Sequence, residues 1–310
     1  MDKTGYPKTS TNTVVRYRNR GVYDYETINN IIDSTPILHV SFVPDAQNDE
    51  HDTEAYPVIL PMMGFTGNFE DPDGEPNSPR SVYLHGYVSS RMMRTTRDRE
   101  VTGANAVNDD DAGMRVCVAA TLFDGVVLAL TPNHHSCNYR SASAFGRAHI
   151  VHDEAERLWA MERITDNLVP GRWAATRYPS AAEQKATGII RVEIHAASAK
   201  VRTGSTGEDR NDLKDTEMRR RVWAGVLPTY TAWGEPVAAE TNLMPTTPQY
   251  LDNFIENTEA ARRITEKHAY IIIDTYALNS GRTSVPFADK ICKEAWVIRQ
   301  GTEYQPTALY

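Results

Sequence analysis

Apolar positions along this chain recur with two periods, and the switches between them mark its elements. Asp24 is placed as an N-cap ahead of Ile28, Ile31 and Ile32, which share one helical face. Thr35-Pro36 stops that helix, because the residue before a proline is pushed out of the α region. Ile37 to Val43 is a predicted strand. Tyr56 to Met63 is another, of edge character because Pro57 and Pro61 cannot donate to a ladder. Ser81 to Gly86 predicts a third strand, running into a short helix around Ser89 to Arg97. Met114 to Leu122 and Val126 to Leu130 are predicted as the arms of a hairpin turning at Asp124-Gly125. Further strands are expected over Tyr139 to Val151, over Val222 to Tyr230, and where Ile190, Val192 and Ile194 alternate with Arg191, Glu193 and His195. A helix with Leu158, Met161, Ile164 and Leu168 on one side closes at Pro170-Gly171, and Ser180 and Glu183 have the spacing of a capping box.

Short strands dominate, helices fall between some of them, and there is no regular βαβ rhythm. That pattern predicts a mainly-β, antiparallel barrel with α decorations. Residues 1–20 are polar and expected to form a flexible N-terminal segment, 21–250 the main domain, and 251–310 a C-terminal extension of unassigned role. The extension opens on a helical pattern (Leu251, Phe254, Ile255) and contains the apolar run Tyr270 to Ile273. With 310 residues and 40% hydrophobic positions the chain can bury a substantial core. Its formal charge of −8 argues against nucleic-acid binding through bulk charge. No membrane span and no signal peptide are expected, since Val116 to Leu130 is cut by Asp124 and Gly125 and the first ten residues lack an apolar core. Cys117, Cys137 and Cys292 form neither a zinc pattern nor a disulfide framework, so a reduced, cytoplasmic compartment is the expectation.

Four segments carry candidate chemistry. In Val82 to Arg94 a strand ends at Gly86 and a helix starts near Ser89, so Ser89, Ser90 and Arg91 gather at a helix N-terminus that suits an anion. An ordinary serine cap beside a solvated arginine explains the same residues. In Asn133 to Ser141, His134 and His135 are adjacent, and successive strand residues point to opposite faces, so no shared metal ion is expected there. Asn138, Tyr139, Arg140 and Ser141 are better suited to hydrogen-bonding a flat heteroaromatic ligand. Lys200 and Arg202 share a face if their strand continues, as ligand contacts or as a solvated basic edge. Trp223 is a core residue or a cofactor contact.

Taken in order, these segments resemble the pyridoxamine 5'-phosphate oxidase-like flavoproteins, specifically the branch with the 5-nitroimidazole resistance proteins. The likeness runs over about residues 15–250, through Gly21 to Asp24, Tyr83 to Gly86, Ser89 to Arg94, His134 to Ser141, Phe145 to Ala148, Leu168 to Trp173, Ser198 to Gly204 and Trp223 to Pro228. The resemblance implies a six-stranded antiparallel split β-barrel that forms a homodimer, with FMN in a groove between subunits. Carried over by position, Ser89, Ser90 and Arg91 hold the FMN phosphate, and Leu84 and His85 lie beside the flavin ring or the substrate. Ile59, Leu60, Pro61 and Met62 face the ring edge, while Asn138, Tyr139, Arg140 and Ser141 approach from the partner subunit. Lys200 and Trp223 complete the cofactor set. Thr229 and Trp233 stand where pyridoxamine phosphate oxidases carry arginines, so vitamin B6 phosphate is not the expected substrate.

The resemblance therefore implies an FMN-dependent oxidoreductase acting on a small organic substrate, with a nicotinamide or oxygen as redox partner. His85 and Tyr139 are its candidate proton-transfer residues. Alternatives are a deazaflavin in place of FMN, or a flavin- or haem-binding protein without turnover in which His85, His134 or His135 is the axial ligand.

Overall fold

The structure, a computed structural model, describes residues 4–44, 56–102 and 113–258. The acidic loop Asp45 to Glu54, most of the segment 97–111 and the tail beyond 258, with Tyr270 to Ile273 and Cys292, lie largely or wholly outside the described residues. The chain divides into two compact units, Met1–Leu122 with Ser141–Lys200, and Phe123–Arg140 with Val201–Tyr310.

In the first unit, helix α1 (Tyr25–Asp33) starts where Asp24 accepts the Thr27 N–H at 2.7 Å, as the sequence predicts, and buries Ile28, Ile31 and Ile32. Strand β2 (Leu38–Phe42) alternates buried and exposed positions. The predicted strand Tyr56 to Met63 becomes β3 (Val58–Met62), and a further strand that the sequence did not suggest, β4 (Gly64–Gly67), follows after Met63. Their partners differ: β3 pairs with β2, and β4 pairs with β5 (Ser81–Tyr87). Helix α2 spans Arg91–Thr102. The long strands β6 (Met114–Leu128), β7 (Ser136–Ile150) and β8 (Thr187–Arg202) form the middle of the sheet. A short β1 (Gly21–Val22) pairs with β8, and β9 (Gly225–Pro228) pairs with β6.

The result is a mainly antiparallel sheet with helices, and it corrects the strand count. Nine strands are present among the described residues rather than six, in the order β3-β2-β6-β7-β8-β5-β4, with β1 and β9 off that path. The hydrogen-bonded path is open, because no ladder joins β3 to β4 although the chain runs directly from one to the other. Each half of residues 58–67 takes its hydrogen bonds from a different neighbour, which splits the sheet there.

The expected hairpin at Asp124-Gly125 is also corrected, since β6 runs straight through it. Buried positions in β6 are Met114, Val116, Val118 and Ala120 before that point, and Gly125 and Val127 beyond it, so the alternation changes phase. Gly125 has φ +152°, and a Cβ there would stand 2.6 Å from the Leu227 carbonyl of β9. Asp-Gly is thus used to admit a neighbouring strand rather than to reverse the chain. The predicted strand at Val222 to Tyr230 shrinks to β9, with a short helix over Thr216–Arg221 ahead of it.

The main core of the first unit is aliphatic, with Leu38, Val40, Val82, Leu84, Met92, Met93, Val118, Ile190 and Val192 buried together with the α1 isoleucines. Val82, Tyr83 and Leu84 are all buried, so β5 is covered on both faces. Its second face meets helix α3 (Glu154–Leu168), where the Trp159 ring lies 5.0 Å from Tyr83 and 5.3 Å from Phe65. The buried line of α3 runs through Glu156, Ala160 and Ile164, so of the predicted stripe only Ile164 is fully buried. Glu156 is tolerated inside because it accepts from the Tyr83 hydroxyl at 2.7 Å and from Arg191 at 3.0 Å. The brief helix α4 (Ala181–Ala186) has the reciprocal Ser180–Glu183 capping box that the spacing predicts. The polar N-terminal stretch is anchored: Tyr6 is buried against Tyr25, and Asn12 donates to the carbonyl of Ala197 at 2.9 Å.

In the second unit, the helix over 249–258 buries Phe254, whose ring lies 5.3 Å from Trp233. No helix among the described residues is long and apolar enough to cross a membrane.

Candidate functional site

The candidate residues divide between the two units. Ile59 to Met62, Leu84, His85, Ser89 to Arg91, Ser141 and Lys200 belong to the first; Asn138 to Arg140 and Trp223 belong to the second.

In the first unit β5 delivers His85 to the end of its run, where the His85 N–H donates to the Met63 carbonyl at 3.2 Å. Gly86 follows. A Cβ at Gly86 would lie 3.2 Å from the Met93 methyl, 3.5 Å from that of Met62 and 3.9 Å from Ser90 Oγ. That close approach draws β3, the end of β5 and the start of α2 together. Ser90 caps α2, its Oγ accepting the Met93 N–H at 3.4 Å, while the next helical bond runs from the Arg94 N–H to the Ser90 carbonyl. Ser89 and Arg91 are exposed, and neither side chain makes a hydrogen bond within the described residues. Both readings of this segment therefore hold at once: Ser90 is a cap, and Ser89 and Arg91 remain available to an anion at a helix start.

Burial holds the His85 imidazole below its ordinary value of 6.5, so it is neutral at neutral pH and offers one N–H donor and one acceptor nitrogen. Leu84, one residue earlier, points into the core. On β3, Leu60 and Met62 turn inward, whereas Ile59 and Pro61 are exposed, with Ile59 at 63%. They stand opposite Ser41 and His39 of β2. Lys200 is half-buried on β8, and its carbonyl receives the Ser141 hydroxyl at 3.3 Å.

The second-unit candidates behave differently. Arg140 makes a two-pronged contact to Asp124, at 3.0 and 2.7 Å. Asn138 is buried; it donates to the Gly204 carbonyl at 3.0 Å and accepts from the buried Arg202 guanidinium. Arg202 also donates to the Ser205 carbonyl at 3.3 Å. Arg140 is thus tied to Asp124, while Asn138 and Arg202 hold each other and the loop at Gly204 and Ser205. Tyr139 is half-buried, and Trp223 is 61% exposed, outside any core. His135 takes the Ala129 N–H on Nδ1 at 3.1 Å.

Sequence reasoning did not anticipate that Glu208 and Asp209 would come up to His134, because nothing local links residues so far apart. It also missed the buried carboxylate of Asp33, which accepts the N–H and hydroxyl of Thr66 at 2.6 and 2.7 Å.

The sequence profile of the pyridoxamine 5'-phosphate oxidase family matches residues 24–201, more than half of the chain, and the protein belongs to that family. Among solved structures, it is similar to the flavocytochrome Anf3 from Azotobacter vinelandii, at 28% identity over 79% of this chain and 96% of that one, with a TM-score of 0.61. It is also similar to an FAD- and haem-binding protein from Mycobacterium smegmatis, at 25% identity over 75% of this chain and 96% of that one, with a TM-score of 0.57. A search of curated proteins finds no match.

Proposed function

We propose that this protein is a flavin-dependent oxidoreductase that acts on a small organic substrate as a homodimer. The carrying observation is the convergence of His85, Gly86, Met62 and Ser90, next to the uncommitted Ser89 and Arg91, within the segment that matches the family. A helix start with two serines and an arginine suits the phosphate of a flavin nucleotide. Gly86 keeps the floor beside it low, since any side chain there would meet Met62 and Met93. A flavin bound there supplies the electron chemistry, and the chain supplies position and proton handling. His85, held neutral by burial, donates its N–H toward developing negative charge or relays a proton to substrate. Exposed Ile59 and Tyr87, 63% each, are apolar surface that a second protomer and a flat ring would cover.

The phosphate contact is common to FMN and to FAD, and the sequence expectation was FMN. The M. smegmatis protein is described as binding FAD, which makes FAD the competing cofactor. The same two similar structures favour a second reading, in which the chain binds flavin and haem together as an electron-transfer protein. The visible spectrum of the purified protein tests both. Flavin bands that bleach with a reduced nicotinamide or under dithionite support the first reading. A Soret band beside them supports the second. A colourless protein that takes up neither FMN, FAD nor haem rejects both.

A further inference from the structure

The turn between β6 and β7 contains a short 3-10 segment, Pro132–His134, that places His134 among acidic groups of the second unit. His134 Nε2 stands 3.8 Å from Asp209 Oδ2, and His134 Nδ1 stands 3.8 Å from Glu208 Oε2. One ligand atom from each of His134, Asp209 and Asp212 lies within 4.8 Å of the others. Asp209 sits at the N-cap position of the helical turn Arg210–Lys214, yet its side chain makes no capping bond.

Glu208 is the independent observation. Its side chain is 7% exposed, and one carboxylate oxygen, Oε1, accepts the Leu130 N–H at 3.0 Å. The other, Oε2, is buried and has no hydrogen-bond partner among the described residues, and it faces Nδ1 of His134, which likewise has none among them. A buried carboxylate oxygen without a donor is costly. Three carboxylates surround one imidazole here, and among the described residues no lysine or arginine forms an ion pair with any of them.

We propose that His134, Asp209 and Asp212 bind one divalent first-row transition-metal cation, with the buried Glu208 carboxylate behind the imidazole. The donor set is one nitrogen and carboxylate oxygens, which suits Zn²⁺ or Mn²⁺ and lacks the thiolate that a soft ion selects. Coordination through Nε2 leaves Nδ1–H to donate to Glu208 Oε2, the carboxylate–histidine–metal arrangement that fixes the ring and satisfies the orphaned oxygen. Ligand atoms about 2.1 Å from a zinc ion stand roughly 3.4 Å apart; the 3.8 Å His134–Asp209 separation then closes by about 0.4 Å, and the widest spacing, at most 4.8 Å, by up to about 1.4 Å. The Asp209 side chain, 77% exposed, has the freedom to make that movement. The ion would clamp the turn before β7 to residues 208–212, a structural role separate from the flavin site proposed above. The sequence had suggested that adjacent His134 and His135 do not share an ion, and they do not in this arrangement: only His134 takes part.

The test uses the full-length protein, stripped with a chelator and dialysed against ZnCl₂, with bound zinc measured by mass spectrometry. The proposal expects one zinc per chain and at least tenfold weaker binding in Asp209→Asn and in Asp212→Asn. His134→Ala should abolish the site, and zinc should raise the melting temperature of the wild type but not of this variant. Asp209 is exposed, so Asp209→Asn should keep the wild-type circular dichroism spectrum and remain interpretable even if His134→Ala misfolds. Absence of stoichiometric zinc, or zinc bound equally well by Asp209→Asn and Asp212→Asn, overturns the proposal. The first result would leave the cluster without a metal, and the second would put the metal elsewhere.

Discussion

The start of α2 in the first unit and the start of β7 in the second carry similar side chains, serine or asparagine beside arginine, and the structure uses them in opposite ways. At α2, Ser89 and Arg91 make no side-chain hydrogen bonds among the described residues, whereas Ser90 is occupied as a cap. At β7, Arg140 is locked to Asp124, and Asn138 is locked between Arg202 and Gly204. Residue type alone nominates both places as ligand contacts. Whether the polar groups already have partners separates a site from a bracket, because a satisfied buried donor gains little by exchanging one acceptor for another.

The largest test of this contrast is Arg202→Ala. It should lower stability by about 3 kcal/mol, because a buried guanidinium is lost and Asn138 is left without its partner. A chemical-denaturation midpoint would show this, and an unchanged midpoint would mean that the bracket is idle. His85→Ala should leave that midpoint nearly unmoved and slow flavin reduction or reoxidation about 100-fold, the size of a lost proton-transfer group. Because burial lowers the His85 pKa, its neutral form should persist below pH 6.5. A rate that needs the neutral imidazole should therefore fall only on the acid side of that value. Arg91→Ala should weaken flavin binding about tenfold with no loss of stability, since one charge-assisted contact goes and nothing in the fold depends on it. Arg140→Ala should do the reverse, costing about 1 kcal/mol of stability and leaving flavin affinity unchanged. Flavin titration of the two arginine variants side by side reads the contrast directly. If Arg140→Ala loses flavin instead, the β7 segment is a contact after all.

The last effect is confined to a pH window and concerns a carboxylate. Burial raises Asp33 to about 6 from an ordinary 3.8, against the opposing pull of the Thr66 hydrogen bonds and Arg80. Between those values the folded protein holds a proton that the unfolded chain has released. Stability from this residue is therefore fullest below 3.8 and is lost as pH rises toward 6. Asp33→Asn should flatten that slope. Denaturation midpoints measured across the interval would show it, and an equal slope in both proteins would remove Asp33 as the cause.

Much of this was legible without coordinates wherever the signal is local. The Asp24 cap, the isoleucine face of α1, the Ser180–Glu183 box and the β8 alternation all depend on residues within one or two turns of each other. The start of α2 was legible for the same reason, as a strand-ending glycine followed by capping serines. The hairpin expected at Asp124-Gly125 failed because a dipeptide that permits a turn also permits a strand to accept a close neighbour, and β9, a hundred residues on, decides between them. The switch of partner from β2 to β5 within residues 58–67 was likewise invisible, since nothing in the apolar run ending at Met63 says that the next residues start a strand with a different neighbour.

By itself, then, the order of residues determined most element types, the family and the candidate residues of the proposed flavin site. Only tertiary structure decided which of those side chains are already engaged, how the sheet is ordered, and that Glu208 meets His134. The physical reason is range: periodicity and capping are set by near neighbours, whereas burial and hydrogen-bond satisfaction depend on segments that only the folded chain brings into contact.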